Sequence, residues 1–237
     1  MRIEVLSNAD AVARAGAAFI AAEARDAVAI HGRFVMAVSG GKTPWVMLRA
    51  LADENVPWDK VHLAQVDERV APTGHADRNL THLRESLLKH VPLRPEHCHA
   101  MPVEAADLAS AAGHYSQILV ACAGSPAVLD LVHLGLGPDG HTASLVPGDP
   151  ILNVTDADVA LTDDYQGRRR MSLTYPIINR ARCILWLVTG KDKAAPLVRL
   201  LNADPTIPAG QVRQDQGLVL ADGEAAAELR SNELKTT

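Results

Sequence analysis

The feature that most constrains this chain is a set of short, predominantly apolar stretches, Phe34–Val38, Leu129–Leu134 and Cys183–Thr189, each only as long as a strand. Successive strand residues point to opposite faces, so a strand that is apolar throughout has to be covered on both sides. Parallel sheets with helices on both faces provide that cover. The remaining sequence fits the same scheme. Arg2–Leu6, Val61–Val66, Arg169–Thr174 and Leu218–Ala221 read as further strands. Ala9–Ala29, with Asn8 as its N-cap, reads as an Ala-rich helix. A helix through Leu51 opens with Thr43 as N-cap and Pro44 at its first position. Asp77–Lys89, Glu104–Ala121, Asp192–Leu201 and Glu224–Leu229 are also predicted helices. This β-α alternation predicts an α/β fold with a mostly parallel sheet flanked by helices on both faces. Thr155–Gly167 is polar and acidic and reads as a surface excursion. With no repeat, low-complexity tract or linker, residues 1–237 are expected to form one domain.

Composition narrows the partners. Hydrophobic residues are 48% and aromatics only 3%, so the core must be built from Ala, Val, Leu and Ile. The net charge of −5 argues against a nucleic-acid partner, which calls for a basic face. It leaves room for a local cationic cluster that holds a small phosphorylated ligand. Cys98, Cys122 and Cys183 form no disulfide pattern, and reduced thiols in a cytoplasmic protein are expected. The start, MRIEVLSNADAV, has no apolar core of a signal peptide. No run approaches the ~20 residues that span a bilayer.

Ligands of open parallel sheets bind at the carboxyl ends of strands, and three such ends carry chemistry here. The first is Ser39-Gly40-Gly41-Lys42-Thr43-Pro44. Two glycines admit close backbone approach, two hydroxyls can donate, and a helix N-terminus follows, which together suit a phosphate. The plain alternative is a tight strand-to-helix turn. The second is Asp67-Glu68-Arg69, where Arg69 can pair with an anion while Asp67 or Glu68 orients it or binds hydroxyls. Here the alternative is a solvated loop with an internal salt bridge. The third and strongest is Gly135-Leu136-Gly137-Pro138-Asp139-Gly140-His141. Its glycines imply unusual dihedrals or close ligand approach, as at Gly137. The His141 imidazole can take a proton from water and return it, and Asp139 can fix its tautomer or bind substrate. A histidine capping the next helix is the alternative. Ser144 follows, but Gly-His-Thr-Ala-Ser is not a nucleophile elbow.

Of the run Arg168-Arg169-Arg170, alternation lets at most one or two face a shared site. Lys193, in the first turn of a predicted helix, stands against the helix dipole, which suggests a functional reason for it. His133 falls mid-strand and reads as a core histidine. His97-Cys98-His99 resembles a fragment of a metal site, but a zinc site needs about four ligands and no second cluster is visible, so no metal is expected.

The blocks AVSGGKTP (37–44), VDERVAP (66–72) with HADRNL (75–80), LDLVHLGLGPDGHTASLVPG (129–148), RRMSLTYPIIN (169–179) and LWLVTGKDK (185–193) occur in the order of the 6-phosphogluconolactonase family, which this chain resembles over most of its length. The resemblance extends to the related glucosamine-6-phosphate deaminases. It implies a Rossmann-like fold, no cofactor, and hydrolysis of 6-phospho-D-glucono-1,5-lactone in the oxidative pentose phosphate pathway. The family's catalytic histidine falls on His141. Its phosphate-holding roles fall on Ser39, Gly40, Gly41 and Thr43, with Arg69, Arg170 and Lys193 as cations. The expected partner is the small sugar phosphate alone, with the protein a monomer or weak homodimer and no nucleic acid or membrane bound. The deaminase branch places a Glu before the Pro of the GxGxDGHxA block. This chain has Val146, where lactonases more often have Phe. The missing carboxylate favours the lactonase reading.

Overall fold

A computed structural model describes residues 1–229. Ten strands and six helices follow the chain: β1 (Arg2–Leu6), α1 (Ala9–His31), β2 (Phe34–Val38), α2 (Lys42–Leu51), β3 (Val61–Gln65), β4 (Asp67–Arg69), α3 (Asn79–Leu83), β5 (Cys98–His99), α4 (Leu108–Ala123), β6 (Leu131–Gly135), β7 (Val159–Leu161), β8 (Arg170–Leu173), α5 (Tyr175–Arg180), β9 (Cys183–Val188), α6 (Ala194–Leu201) and β10 (Gly217–Asp222). Seven strands form a sheet in the order β1-β10-β9-β6-β2-β3-β5. All its pairings are parallel. The apolar stretches that demanded two-sided cover are its central strands: β2 and β9 are fully apolar, and β2, β6 and β9 lie side by side. One face packs against α1 and α2 through small residues such as Ala13, Ala17 and Ala21. The other packs against α4, α5 and α6.

The chain steps outward from β2 to β3 and β5, then resumes on the other side of β2 with β6, β9 and β10. Strand order therefore reverses between β2 and β6, and a crevice opens at their carboxyl ends.

Several local expectations change. Asn8 caps α1 by accepting from the Ala11 N–H at 2.9 Å, as expected. Thr43 does not cap α2: the N-cap is Gly41, and the Thr43 hydroxyl pairs with the Thr189 hydroxyl at 2.7 Å, tying α2 to the end of β9. The helix expected over Asp77–Lys89 starts at Asn79 and widens into a π turn at Arg84–Leu88. Glu104–Ala121 starts late, at Leu108, where the Asp107 side chain accepts from the N–H groups of Ala109 and Ser110. Glu224–Leu229 forms turns and not a helix, beginning where the Asp222 side chain accepts from the Ala225 N–H. A second, antiparallel sheet, β4-β8-β7, was not legible in the sequence. Its β7 lies inside the stretch read as a surface excursion.

Candidate active site

The switch-point crevice gathers most of the residues singled out above. Ser39, Gly40, Gly41, Asp67, Arg69, Gly137, His141, Arg170 and Lys193 all line one cleft. Thr43 and Asp139 stand just outside its wall.

The His–Asp pair is built locally. The Asp139 carboxylate accepts from the His141 backbone N–H at 3.1 Å and meets the His141 ring Nδ1 at 2.5 Å. Burial pushes the Asp139 carboxyl up, but the hydrogen bonds and charge of His141 outweigh it and hold the carboxyl below its usual range. With Nδ1 engaged by a carboxylate, Nε2 is the nitrogen left for chemistry in the cleft. Gly137 makes room for this ring: a Cβ there would lie 2.1 Å from His141 Nδ1. Gly140 turns with φ +84 against Ile207. Gly135 shows neither strain nor crowding, so the expected special conformation does not apply to it.

The cationic side comes from the small sheet. In the β4–β8 register Arg69 stands opposite Arg170, and Asp67 opposite Ser172. Like charges directly across an antiparallel pair repel. Here both guanidinium groups line the cleft, and Arg170 is only 5% exposed. Arg170 Nε is buried with no hydrogen-bond partner among the described residues, and the same holds for the Ser39 hydroxyl across the cleft. Buried polar atoms are rarely left unpaired, and both residues belong to the cleft lining, which suits a polar ligand there. Of its neighbours, Arg168 turns away to Asp77 at 2.7 Å, and Arg169 donates to the Thr162 carbonyl. Lys193 lines the cleft from the N-cap position of α6, with Asp192 at 2.9 Å.

The carboxylates at β4 divide their work. Asp67 accepts from the Ser144 hydroxyl at 2.7 Å, and burial raises its carboxyl above the ordinary value against that bond and the two arginines. The fully buried Ser144 is thus engaged as a donor. Glu68 does not reach the ligand space. It is fully buried, accepts from the N–H groups of Arg69, Asn79 and Leu80, and pairs with buried Arg78 at 3.1 Å. It anchors the loop.

Sequence reasoning missed two contributors, Asn79 and Tyr165, while His133 is the core histidine it reads as. The Asn79 carboxamide accepts from Arg69 at 3.0 Å and donates to the Asp67 carbonyl, and Asn79 lines the cleft. A Cβ on Gly40 would lie 2.2 Å from its Oδ1. Tyr165 donates to Asp139 Oδ2 at 3.3 Å, stands edge-on to His141, and lies under the Arg170 guanidinium at 4.9 Å. Fully buried His133 accepts from the Ser39 N–H at 3.3 Å, and burial lowers its imidazole to about 3, so it stays neutral.

An acid–base pair next to a cationic anion cradle, on the carboxyl edge of a parallel sheet, defines a Rossmann-like α/β protein equipped to handle a small anionic ligand. Comparison narrows the class. Residues 7–221 match the family described as glucosamine-6-phosphate isomerases/6-phosphogluconolactonase, and the chain belongs to that family. It is 35% identical to a 6-phosphogluconolactonase of Synechocystis, covering 97% of this chain and 98% of the relative. It is 37% identical to one of Mycobacterium tuberculosis over the same shares of the two chains. Its fold overlays that of the 6-phosphogluconolactonase from Thermotoga maritima with a TM-score of 0.83 and 25% identity, covering 93% and 98% of the two chains. A monomeric glucosamine-6-phosphate deaminase shares the fold at a TM-score of 0.83 and 18% identity, covering 96% of this chain and all of that one.

Proposed function

We propose that this protein hydrolyses 6-phospho-D-glucono-1,5-lactone to 6-phospho-D-gluconate, acting as a carboxylic ester hydrolase of the oxidative pentose phosphate pathway. The observation that carries the site assignment is the Arg69–Arg170 pair facing one cleft with the Asp139–His141 pair. The first pair calls for an anion and the second supplies a base.

In this reading the phosphate rests between the Ser39–Gly41 turn and the guanidinium groups, with Lys193 adding charge. Thr43 serves the turn through Thr189 and not the ligand. Anchoring the phosphate spends remote binding energy on placing C1 near His141. His141 Nε2 takes a proton from water, which attacks the C1 carbonyl. Asp139 steadies the imidazolium through Nδ1. The proton then passes to the ring oxygen as the C1–O bond breaks. No covalent intermediate is needed, and neither is a cofactor. Asp67 holds Ser144 and stands close to the sugar hydroxyls. Val146, where the deaminase branch has Glu, is 6% exposed and packs in the core, which favours the lactonase over the deaminase.

The reading includes one domain, a cytoplasmic location, a monomer or weak homodimer, and no nucleic-acid or membrane partner. The net charge of −5 and three free cysteines support it, and no helix among the described residues is long and apolar enough to cross a membrane. The deciding experiment generates the lactone in place from glucose 6-phosphate, with metal chelated, and follows its disappearance. A rate that scales with protein above the spontaneous background is expected. Background-only hydrolysis, with turnover of glucosamine 6-phosphate instead, would overturn the reading.

Two variants test the parts. Arg170→Ala removes charge-assisted contacts and is expected to raise KM roughly 10–100-fold with a smaller change in kcat. An unchanged KM would remove Arg170 from the phosphate site. Tyr165→Phe loses its bond to Asp139 and is expected to lower kcat roughly 3–10-fold at constant KM. A kcat equal to wild type would make Tyr165 a bystander.

A further inference from the structure

A second cluster of reactive side chains lies at the far edge of the main sheet, away from the cleft. β5 pairs with β3 in parallel register, with Ala64 beside His99. Alternation then places His62 on the same sheet face as His99. That face is the one α4 covers, and α4 brings Cys122 down onto it. His62 Nδ1 and His99 Nε2 face each other at 3.1 Å, with their rings tilted by only 3°. The ligand atoms of His62, His99 and Cys122 all lie within 4.8 Å of one another. His97 stacks on His62 at 4.1 Å, and its Nδ1 is buried with no hydrogen-bond partner among the described residues.

We propose that His62, His99 and Cys122 bind one divalent transition-metal ion of the zinc type, clipping edge strand β5 to β3 and α4. The ligand chemistry fits, the nitrogen spacing is close, and the sulfur, within 4.8 Å of the nitrogens, closes on the ion by side-chain rotation. Two imidazoles and a thiolate are zinc ligands, and a tetrahedral ion with bonds of about 2.0–2.1 Å sets its nitrogens roughly 3.3 Å apart, close to the separation found. The half-buried imidazoles leave a way in, and a water completes four ligands. The two rings, which now meet head to head in one hydrogen bond, tilt so that both lone pairs reach the ion, and the proton between them moves to the outer nitrogen of its own ring. The Cys122 thiol, now donating to the Leu119 carbonyl at 3.4 Å, releases its proton to solvent as the metal–sulfur bond forms. The two-residue β5 gains most from such a clip, since little else pairs with it along the sheet edge.

The site stands apart from His141, so its test is independent of lactone chemistry. Tag-free, chelator-treated full-length protein is titrated with Co²⁺ while the near-ultraviolet thiolate-to-metal band is followed. That band reports a cysteine ligand and is blind to metal held by His141 and Asp139. One equivalent is expected to saturate the band, and Zn²⁺ to bleach it and raise Tm. Cys122→Ser is expected to abolish the band, and His99→Gln to weaken binding by about 10–100-fold or more, both with lactone hydrolysis unchanged. Circular dichroism confirms that each variant is folded. Absence of the band in the wild-type protein, or a band that survives Cys122→Ser, would overturn the proposal.

Discussion

Replacing His141 with alanine is expected to lower kcat by about 10²–10⁴-fold, the usual share of general acid–base catalysis, while inhibition by 6-phosphogluconate changes little. The two readouts separate because the base and the anion cradle stand on different elements. His141 sits on the loop after β6, whereas Arg69 and Arg170 come from the small sheet. Steady-state kinetics with lactone generated in place, corrected for spontaneous opening, gives kcat, and product inhibition reports the cradle. Near wild-type turnover would remove His141 as the base. Asp139→Asn should fall between the two, because it keeps the ring in place but no longer steadies a protonated imidazole.

Glu68→Ala is expected to be the most damaging substitution for stability, at about 3–5 kcal/mol, which for a chain of this length lowers Tm by roughly 10 °C or more. Glu68 is fully buried, and its carboxylate accepts from three backbone N–H groups and pairs with Arg78, itself 2% exposed. Removing it leaves a buried guanidinium whose remaining carboxylate, Glu104, is half-exposed and 3.5 Å away. Glu104→Ala, the control, should cost under about 1 kcal/mol because solvent already screens that pair. Urea unfolding of the two variants measures the difference. Similar midpoints would mean that the loop does not depend on Glu68. The same loop carries Arg69 and Asn79, so partial unfolding there should also raise KM.

The contrast between Asp67, Glu68 and Arg69 shows where sequence reading stops. Three adjacent charged residues look alike on paper, yet one is a structural anchor and two line the cleft. Burial and partners decide this, and the partners Arg78, Ser144 and Arg170 lie at quite different distances along the chain.

What the sequence by itself determined was everything carried by local periodicity and local spacing. Apolar strands needing cover on both faces dictated the parallel α/β sheet. Strand-to-loop junctions marked the ligand edge. The Asp139–His141 pair and the Ser39–Gly41 turn were legible because each is complete within a few residues. Only the tertiary structure decided what depends on pairing between distant segments. The β4–β8 register sets Arg69 against Arg170, Tyr165 arrives from a stretch that reads as polar surface, and Thr43 goes to Thr189 instead of the ligand. The His97–His99 fragment looked incomplete for the same reason: His62 and Cys122 join it only through the β3–β5 register and the packing of α4. Side-chain alternation and capping are properties of neighbours along the chain, whereas strand register and helix docking are settled by the burial of the whole core.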